Sequence, residues 1–181
     1  MSTHLVWFRS DLRTLDNPAL YAAASEGQVT ALFLVTPKQW QQHGIAAKKI
    51  SFLLRSVDSL SENLANLGIE TRIVTGGCFK DAAAQVVNVA QEIGACRVFW
   101  NNEIALDERR RDTQVEKALI AEGIEVRRTE AATSLPVGAV RKPDGTPYSV
   151  FTPYKKRWIS LSIDHGIETL PVPDPQGPPV A

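Results

Sequence analysis

The feature that most constrains the fold is a junction that recurs four times: a helical pattern ends at a glycine, and an apolar, β-rich run begins within two residues. The four glycines are Gly27, Gly68, Gly94 and Gly123. Glycine has no Cβ and readily takes the positive φ that closes a helix, so each junction predicts a helix followed by a strand. With residues 5–9 as a first strand, the sequence predicts five strands and four intervening helices.

Unbroken alternation of strand and helix is typical of a parallel sheet with helices on both faces, joined by right-handed crossovers. We therefore predict an α/β, Rossmann-like fold with a five-stranded parallel sheet. The second and fourth strands, around ALFLV and RVFW, are the most continuously apolar and are expected to be central. Open sheets of this kind bind ligands beyond the carboxyl ends of their strands, so the loops that follow the strands are the candidate site.

Charge and residue usage exclude several classes of function. Lysine plus arginine and aspartate plus glutamate both number 20, so no global positive potential attracts nucleic acid or an anionic membrane. No apolar run reaches the roughly 18–20 residues of a membrane span, and no signal peptide is evident, so we expect a soluble, cytoplasmic protein. The cysteines and histidines lack metal-site spacing, and no glycine-rich phosphate-binding motif is present.

The regular alternation of helix and strand patterns stops after the fifth strand. A last helix is predicted to begin at Thr152 or Pro153, and five of the last twelve residues are prolines. Such a proline-rich segment is typical of a linker. We therefore predict a single α/β domain over residues 1–165 and a linker over residues 166–181.

The opening stretch VWFRSDLRTLDNPAL resembles the N-terminal signature of the DNA photolyase and cryptochrome family at nearly every defined position. TPKQW followed by His43, then NNEIALDERRRD, then PYSVFTPYKKRW follow in family order, so the resemblance covers residues 3–158. It is closest to the bacterial class I cyclobutane pyrimidine dimer photolyases. Unrelated α/β domains are not expected to share four such motifs in one order.

The resemblance implies an N-terminal α/β domain that binds a light-harvesting antenna chromophore. A C-terminal helical domain beyond the linker is then expected to hold FAD and the flipped-out pyrimidine dimer. The implied activity is light-driven repair of these dimers by a carbon–carbon lyase, with DNA contacted mainly through the helical domain. The chain alone is then expected to be inactive and monomeric, and to pass excitation to FAD. A cryptochrome-like blue-light photoreceptor on the same fold is the alternative.

The resemblance also implies an antenna, 5,10-methenyltetrahydrofolate, contacted here by His43, Asp107 and Glu108. Chemistry supports Glu108 independently, because a carboxylate accepts paired N–H donors of the kind that a pterin ring presents. Asp107 stands where the folate-binding members usually have asparagine. Both acids could instead cap the helix that follows them and balance its dipole. The alternative antenna is 8-hydroxy-5-deazaflavin, and the resemblance places no catalytic or metal-binding residue in this chain.

The remaining charged clusters are interpreted structurally. Arg9, Asp11 and Arg13 of the opening turn lie at the carboxyl edge of the predicted sheet, and we interpret them as an ion-paired brace rather than chromophore contacts. The basic runs at residues 109–111 and 155–157 are interpreted as solvated helix faces or interdomain salt bridges rather than phosphate contacts.

Overall fold

Strands and helices alternate as the glycine junctions predict, in a computed structural model that describes residues 2–166 and 169–180. In chain order the elements are β1 (Thr3–Phe8), α1 (Pro18–Glu26), β2 (Gln28–Val35), α2 (Pro37–Gln42), α3 (Ala47–Asn66), β3 (Glu70–Thr75), a 3₁₀ turn (Phe79–Asp81), α4 (Ala82–Glu92), β4 (Arg97–Asn101), α5 (Leu106–Ala121), β5 (Glu125–Thr129) and α6 (Phe151–His165). The β2–β3 connection carries two helices instead of the single predicted one, because Pro37 starts a short extra helix after Thr36. The last helix begins one residue before the predicted Thr152.

The five strands form one sheet in the order β3-β2-β1-β4-β5, and every neighbouring pair is parallel. This confirms the predicted parallel α/β fold. The second and fourth strands lie inside the sheet as expected, but the centre is β1, which pairs with both of them. The chain therefore begins in the middle of the sheet, and the carboxyl end of β1 opens into the crevice where such folds bind ligands.

Two hydrophobic layers cover the sheet, one on each face. Successive β1 residues point to opposite faces, so Leu5 and Trp7 pack in one layer while Val6 and Phe8 pack in the other. The first layer contains buried residues of α4 and α5, and the second contains those of α1 and α3. Helices on both faces are thus confirmed, and β1 is buried from His4 to Phe8 because it is covered from both sides.

Three of the four junction glycines adopt the predicted left-handed conformation, with φ of 72° at Gly68, 65° at Gly94 and 73° at Gly123. The prediction is wrong at Gly27, whose φ of 171° is extended backbone. Glycine is needed there for close approach, since a Cβ on Gly27 would lie 2.3 Å from the carbonyl oxygen of Ser2. The start of β1 therefore packs directly against the α1–β2 connection.

The proline-rich segment lies against the domain. The Asp16 N–H donates to the Leu170 carbonyl at 2.9 Å, and the Leu170 N–H donates to Asp16 Oδ1 at 3.2 Å. Further along, Gln176 Oε1 accepts from the Val29 N–H at 2.8 Å, and its Nε2 donates to the Gly27 carbonyl at 2.6 Å. The segment thus runs from the opening turn to the start of β2. Residues 167, 168 and 181 of the predicted linker lie outside the described residues.

Within residues 2–166 and 169–180, no helix combines the length and the apolar character that crossing a bilayer requires.

Candidate functional site

A cleft of about 390 Å³ opens at the carboxyl ends of β1 and β2, where the fold predicts a ligand site. Its walls are largely aromatic, and they include Trp7, Phe33, Trp40, Phe52 and Phe79. The size and the apolar lining are those of sites that hold small molecules or cofactors. Polar and charged side chains make up nearly half of the lining residues, and groups of this kind fix the orientation of a bound ring.

The short helix α2 and the residues after it supply one side of the cleft. His43 follows α2 directly, is exposed and lines the cleft. Its Nε2 lies 2.6 Å from Nε2 of Gln39, one turn earlier, and its ring centroid lies 6.5 Å from that of Phe79. The sequence-predicted histidine is therefore at the opening of the cleft, oriented by the buried Gln39.

Glu108 lies in the first turn of α5 and lines the same cleft. It is half-buried, and its carboxylate makes no hydrogen bond or ion pair with any residue that the structure describes. It also borders a second, more polar depression of about 400 Å³ over the end of β4. Neither Glu108 nor Asp107 caps α5, because the N-cap residue is Ala105, which makes no side-chain hydrogen bond. Of the two structural roles considered for these acids, capping is excluded and interaction with the helix dipole is left.

Asp107 lies outside this cleft. Its side chain is 54% exposed and pairs with Arg110 at 3.4 Å. It borders a neighbouring depression of about 320 Å³ together with Cys78 and Lys80. Consecutive residues of an α-helix point about 100° apart, so Asp107 and Glu108 face different cavities although they are adjacent in sequence. The structure thus brings His43 and Glu108 together and separates Asp107 from them.

Buried ion pairs form the floor of the cleft. Asp112 Oδ1 accepts from Arg9 Nη1 at 3.3 Å, and from Arg111 Nε and Nη2 at 3.0 and 2.8 Å. Glu103 Oε2 accepts from Arg111 Nη2 at 2.6 Å and lies 3.9 Å from Arg9 Nε. Arg9 Nη2 also donates to the carbonyl of Asn101. Two arginines balance two carboxylates, so this group, which we call the floor cluster, has no net charge.

Aromatic rings surround both arginines of the floor cluster. The Arg9 guanidinium lies 4.6 Å from the Trp7 ring centroid and 5.9 Å from that of Trp100. The Arg111 guanidinium lies 4.8 Å from the Trp7 centroid and 4.6 Å from that of Phe79. Cation–π attraction is strongest where water is excluded, so these rings help to hold both arginines in place.

Burial and charge shift two pKa values in the floor cluster. Burial lowers the pKa of Arg9 below its ordinary value, although Asp112 and Glu103 oppose the shift. For Glu103, burial acts to raise the pKa, but Arg9, Arg111 and a hydrogen bond from Ser10 outweigh it and hold the pKa below its ordinary value. Glu103 is therefore a carboxylate at neutral pH and keeps Arg111 fixed.

The interpretation of residues 109–111 as a solvated face is wrong for Arg111, whose side chain is only 6% exposed. Arg109 and Arg110 are exposed, as predicted. Arg111 precedes Val115 and Leu119 at intervals of four residues, and all three belong to the inward face of α5. That helical phase is the signal in the sequence that identifies Arg111 as buried. The second basic run, at residues 155–157, is exposed.

The opening turn is the brace that the sequence predicts. Asp11 Oδ1 accepts from the Arg9 N–H at 3.0 Å, and Asp11 Oδ2 accepts from Asn101 Nδ2 at 2.5 Å. Arg13 Nη2 donates to the Asp16 carbonyl at 2.7 Å. The bond from Asn101 joins the turn after β1 to the end of β4 at the carboxyl edge, and the other two hold the turn itself. The sequence interpretation missed that Arg9 also lines the cleft.

Comparison with known proteins identifies the relatives of this chain. The DNA photolyase family model matches residues 4–176. Deoxyribodipyrimidine photo-lyase of Vibrio cholerae is 37% identical over 158 residues, which cover 87% of this chain and 34% of the relative. The enzyme of the same name from Salmonella typhimurium is 37% identical over 164 residues, with coverage of 88% and 34%. A solved Synechocystis cryptochrome matches with a TM-score of 0.80 at 26% identity, over 97% of this chain and 38% of that structure. The chain thus spans about a third of the length of the curated relatives.

Proposed function

Because the chain belongs to the DNA photolyase family, we propose that it is the antenna-binding domain of a deoxyribodipyrimidine photolyase. Such an enzyme repairs cyclobutane pyrimidine dimers in DNA with near-ultraviolet or blue light. In this proposal residues 1–165 bind the antenna, and residues 166–181 lead to a helical domain that holds FAD and contacts the DNA. The protein acts in the cytoplasm as a monomer.

The observation that carries the proposal is the state of Glu108 in the cleft. Glu108 presents a half-buried carboxylate, without a partner among the described residues, to a cleft with aromatic side chains in its walls, so its oxygens are open to the N–H donors of a ligand. A flat ring with N–H groups at its edge supplies those donors and covers the apolar walls. The buried Nε1 of Trp7, another cleft residue, also lacks a hydrogen-bond partner among the described residues.

These residues fit 5,10-methenyltetrahydrofolate. Glu108 would accept the N–H groups of the pterin edge, and His43 would contact the ligand at the opening of the cleft. Asp107 would be reached only by a part of the ligand that extends past Phe79 and Arg111, which border both cavities. When bound, the chromophore absorbs light and passes excitation to FAD. The contribution of the protein is a fixed position and orientation, which requires no catalytic side chain.

The apolar part of the cleft is the observation that supports the alternative antenna, 8-hydroxy-5-deazaflavin. Phe33 and Leu53 continue the apolar wall on the side of α3, and this surface would suit a wider ring system. The same cleft is proposed for either chromophore, so a direct comparison of the two decides between them.

The test is titration of the 181-residue chain with 5,10-methenyltetrahydrofolate, followed by the absorbance and fluorescence of the chromophore. The Glu108→Gln variant is expected to bind about tenfold more weakly, because it loses a charge-assisted hydrogen bond. Glu62→Gln, at an exposed glutamate of α3 outside the cleft, is the matched control. If the chain binds neither methenyltetrahydrofolate nor 8-hydroxy-5-deazaflavin, the proposed antenna role is refuted.

A cryptochrome-like photoreceptor is the second candidate, because a solved cryptochrome shares the fold over nearly the whole chain. A shared fold does not separate repair from signalling, since function depends on the site. Light-dependent reversal of thymine dimers by the complete gene product separates them. Reversal supports the photolyase. A product that absorbs light and binds FAD without reversing dimers supports the photoreceptor.

A further inference from the structure

Arg111 has a hydrogen-bonding group that the protein does not use. Its Nε and Nη2 donate to Asp112, and Nη2 also donates to Glu103. Its second terminal nitrogen, Nη1, donates to none of the residues that the structure describes. Arg111 lines the cleft, and its side chain is more than nine-tenths buried. The cleft is therefore bordered by a buried cation with one terminal nitrogen that has no hydrogen-bond partner among the described residues.

The position of this donor is fixed from several sides. Two carboxylates bind the other nitrogens of Arg111, and the guanidinium lies between the rings of Trp7 and Phe79. A side chain held this way has already lost its rotamer freedom, so binding a ligand costs little additional entropy. Arg111 is therefore suited to recognise an oxygen at one defined point of a bound molecule.

Glu108 precedes Arg111 by three residues, so both side chains lie on the same side of α5. They form no ion pair with each other, since the ion pairs of Arg111 are with Glu103 and Asp112. One cleft is thus lined by a carboxylate that accepts and a guanidinium nitrogen that donates, both without protein partners among the described residues.

From this pair we infer that the cleft selects a planar ring with a cyclic amide edge, whose N–H donates to Glu108 and whose neighbouring carbonyl accepts from Arg111 Nη1. The inference rests on the proposed function and adds Arg111 as a specificity-determining residue for the antenna. A pterin with a 4-oxo group presents this edge, and so does a deazaflavin. A 4-amino pteridine does not, because an amino group replaces the carbonyl and turns an acceptor into a donor, and the neighbouring ring nitrogen loses its N–H.

Folic acid and aminopterin test this inference, because they differ only in the 4-oxo and 4-amino groups. Each competes with 5,10-methenyltetrahydrofolate for the 181-residue chain at pH 7, where both rings are neutral, and displacement is followed by chromophore fluorescence. The wild type is expected to prefer folic acid by about tenfold or more, the value of a hydrogen bond to a charged group. This ratio of affinities is measured on the wild-type chain alone.

The variants then assign the preference to Arg111. In Arg111→Lys, which keeps the charge of the floor cluster, and in Arg111→Gln, the preference is expected to fall several-fold, because folic acid loses the guanidinium donor to its carbonyl while the contribution of Glu108 and the ring N–H remains. Arg109→Gln changes an exposed arginine of the same helix outside the cleft and should keep the wild-type ratio. A merely structural role of Arg111 would weaken both ligands equally and leave the ratio unchanged.

The outcomes distinguish the two proposals. Equal affinity of the wild type for the two pteridines, or an unchanged ratio in Arg111→Lys, overturns the inference and leaves the antenna role standing. Failure of the wild type to bind methenyltetrahydrofolate, folic acid and deazaflavin alike overturns the proposed function, and the inference with it.

Discussion

Replacing Asp112 with asparagine is expected to destabilise the fold by about 3 kcal/mol. The Asp112 side chain is fully buried and accepts hydrogen bonds from Arg9 and Arg111 at 2.8–3.3 Å. Asparagine keeps the volume but removes the charge, so two buried guanidinium groups would face Glu103 alone. The amide also brings N–H donors next to the N–H donors of the two guanidinium groups.

The magnitude follows from the burial of the floor cluster. Removing one partner of a buried ion pair costs about 3–5 kcal/mol, and the lower value applies because asparagine still offers one acceptor oxygen. A loss of about 3 kcal/mol lowers the melting temperature of a domain of this size by roughly 6–12 °C. Domains are stable by about 5–15 kcal/mol, so the variant should still fold at 25 °C.

Urea denaturation followed by the fluorescence of the buried Trp7 and Trp100 measures the loss. Asp107→Asn is the control on the same helix, since both Asp107 and its partner Arg110 are exposed. Exposed pairs contribute about 0–1 kcal/mol, so the control should remain close to the wild type. If Asp112→Asn loses no more than Asp107→Asn, the floor cluster does not stabilise the fold and the reasoning fails.

Three further predictions concern the tail and the floor cluster. Gly68→Ala should lower the free energy of unfolding in urea by at least about 1 kcal/mol more than Gly94→Ala. Both variants lose a positive-φ glycine, but only the Cβ at residue 68 meets the Gly177 backbone, at 2.8 Å. Equal losses would show that the tail does not pack against that turn. Glu103, whose pKa is lowered in the folded state, should contribute stability that is present above the usual glutamate pKa of about 4.3 and is lost as pH falls through the folded value. Unfolding measured between about pH 7 and 3 should therefore depend less on pH in Glu103→Gln, and a slope identical to the wild type would contradict the linkage. Gln176→Ala should release the tail to limited proteolysis, since it removes two hydrogen bonds of 2.6 and 2.8 Å, and an unchanged cleavage rate would refute its anchoring role.

The architecture of the fold could be predicted because its signals are local. A helical period, a glycine at the end and an apolar run afterwards all lie within about twenty residues, and the structure confirms five parallel strands covered on both faces. Two details depend on distant segments and were not predictable. β1 takes the central place because of its pairing with β4, and Gly27 is extended because the backbone of Ser2 passes beside it.

The positions of the candidate site residues could be predicted in part. The family motifs identified His43 and Glu108, which line one cleft, while their neighbour Asp107 turns to another cavity. Arg111 was misjudged because three consecutive arginines look equivalent in sequence. The three differ in their position relative to the buried Val115, and only Arg111 lies one turn before it on the inward face of α5. Ion pairs between residues a hundred positions apart leave no local signal.

The central place of β1 has a consequence for the order in which the domain folds. The hydrogen bond between Arg9 and Asp112 joins residues 103 positions apart. A ribosome adds roughly 5–20 residues per second, so the opening turn waits about 5–20 s for the helix that completes it. During that time Arg9 has none of the partners that follow β4, and the loop that must close is long. The floor of the cleft thus forms only after β4 and the first half of α5 have been made, although its first residues are among the first to be made.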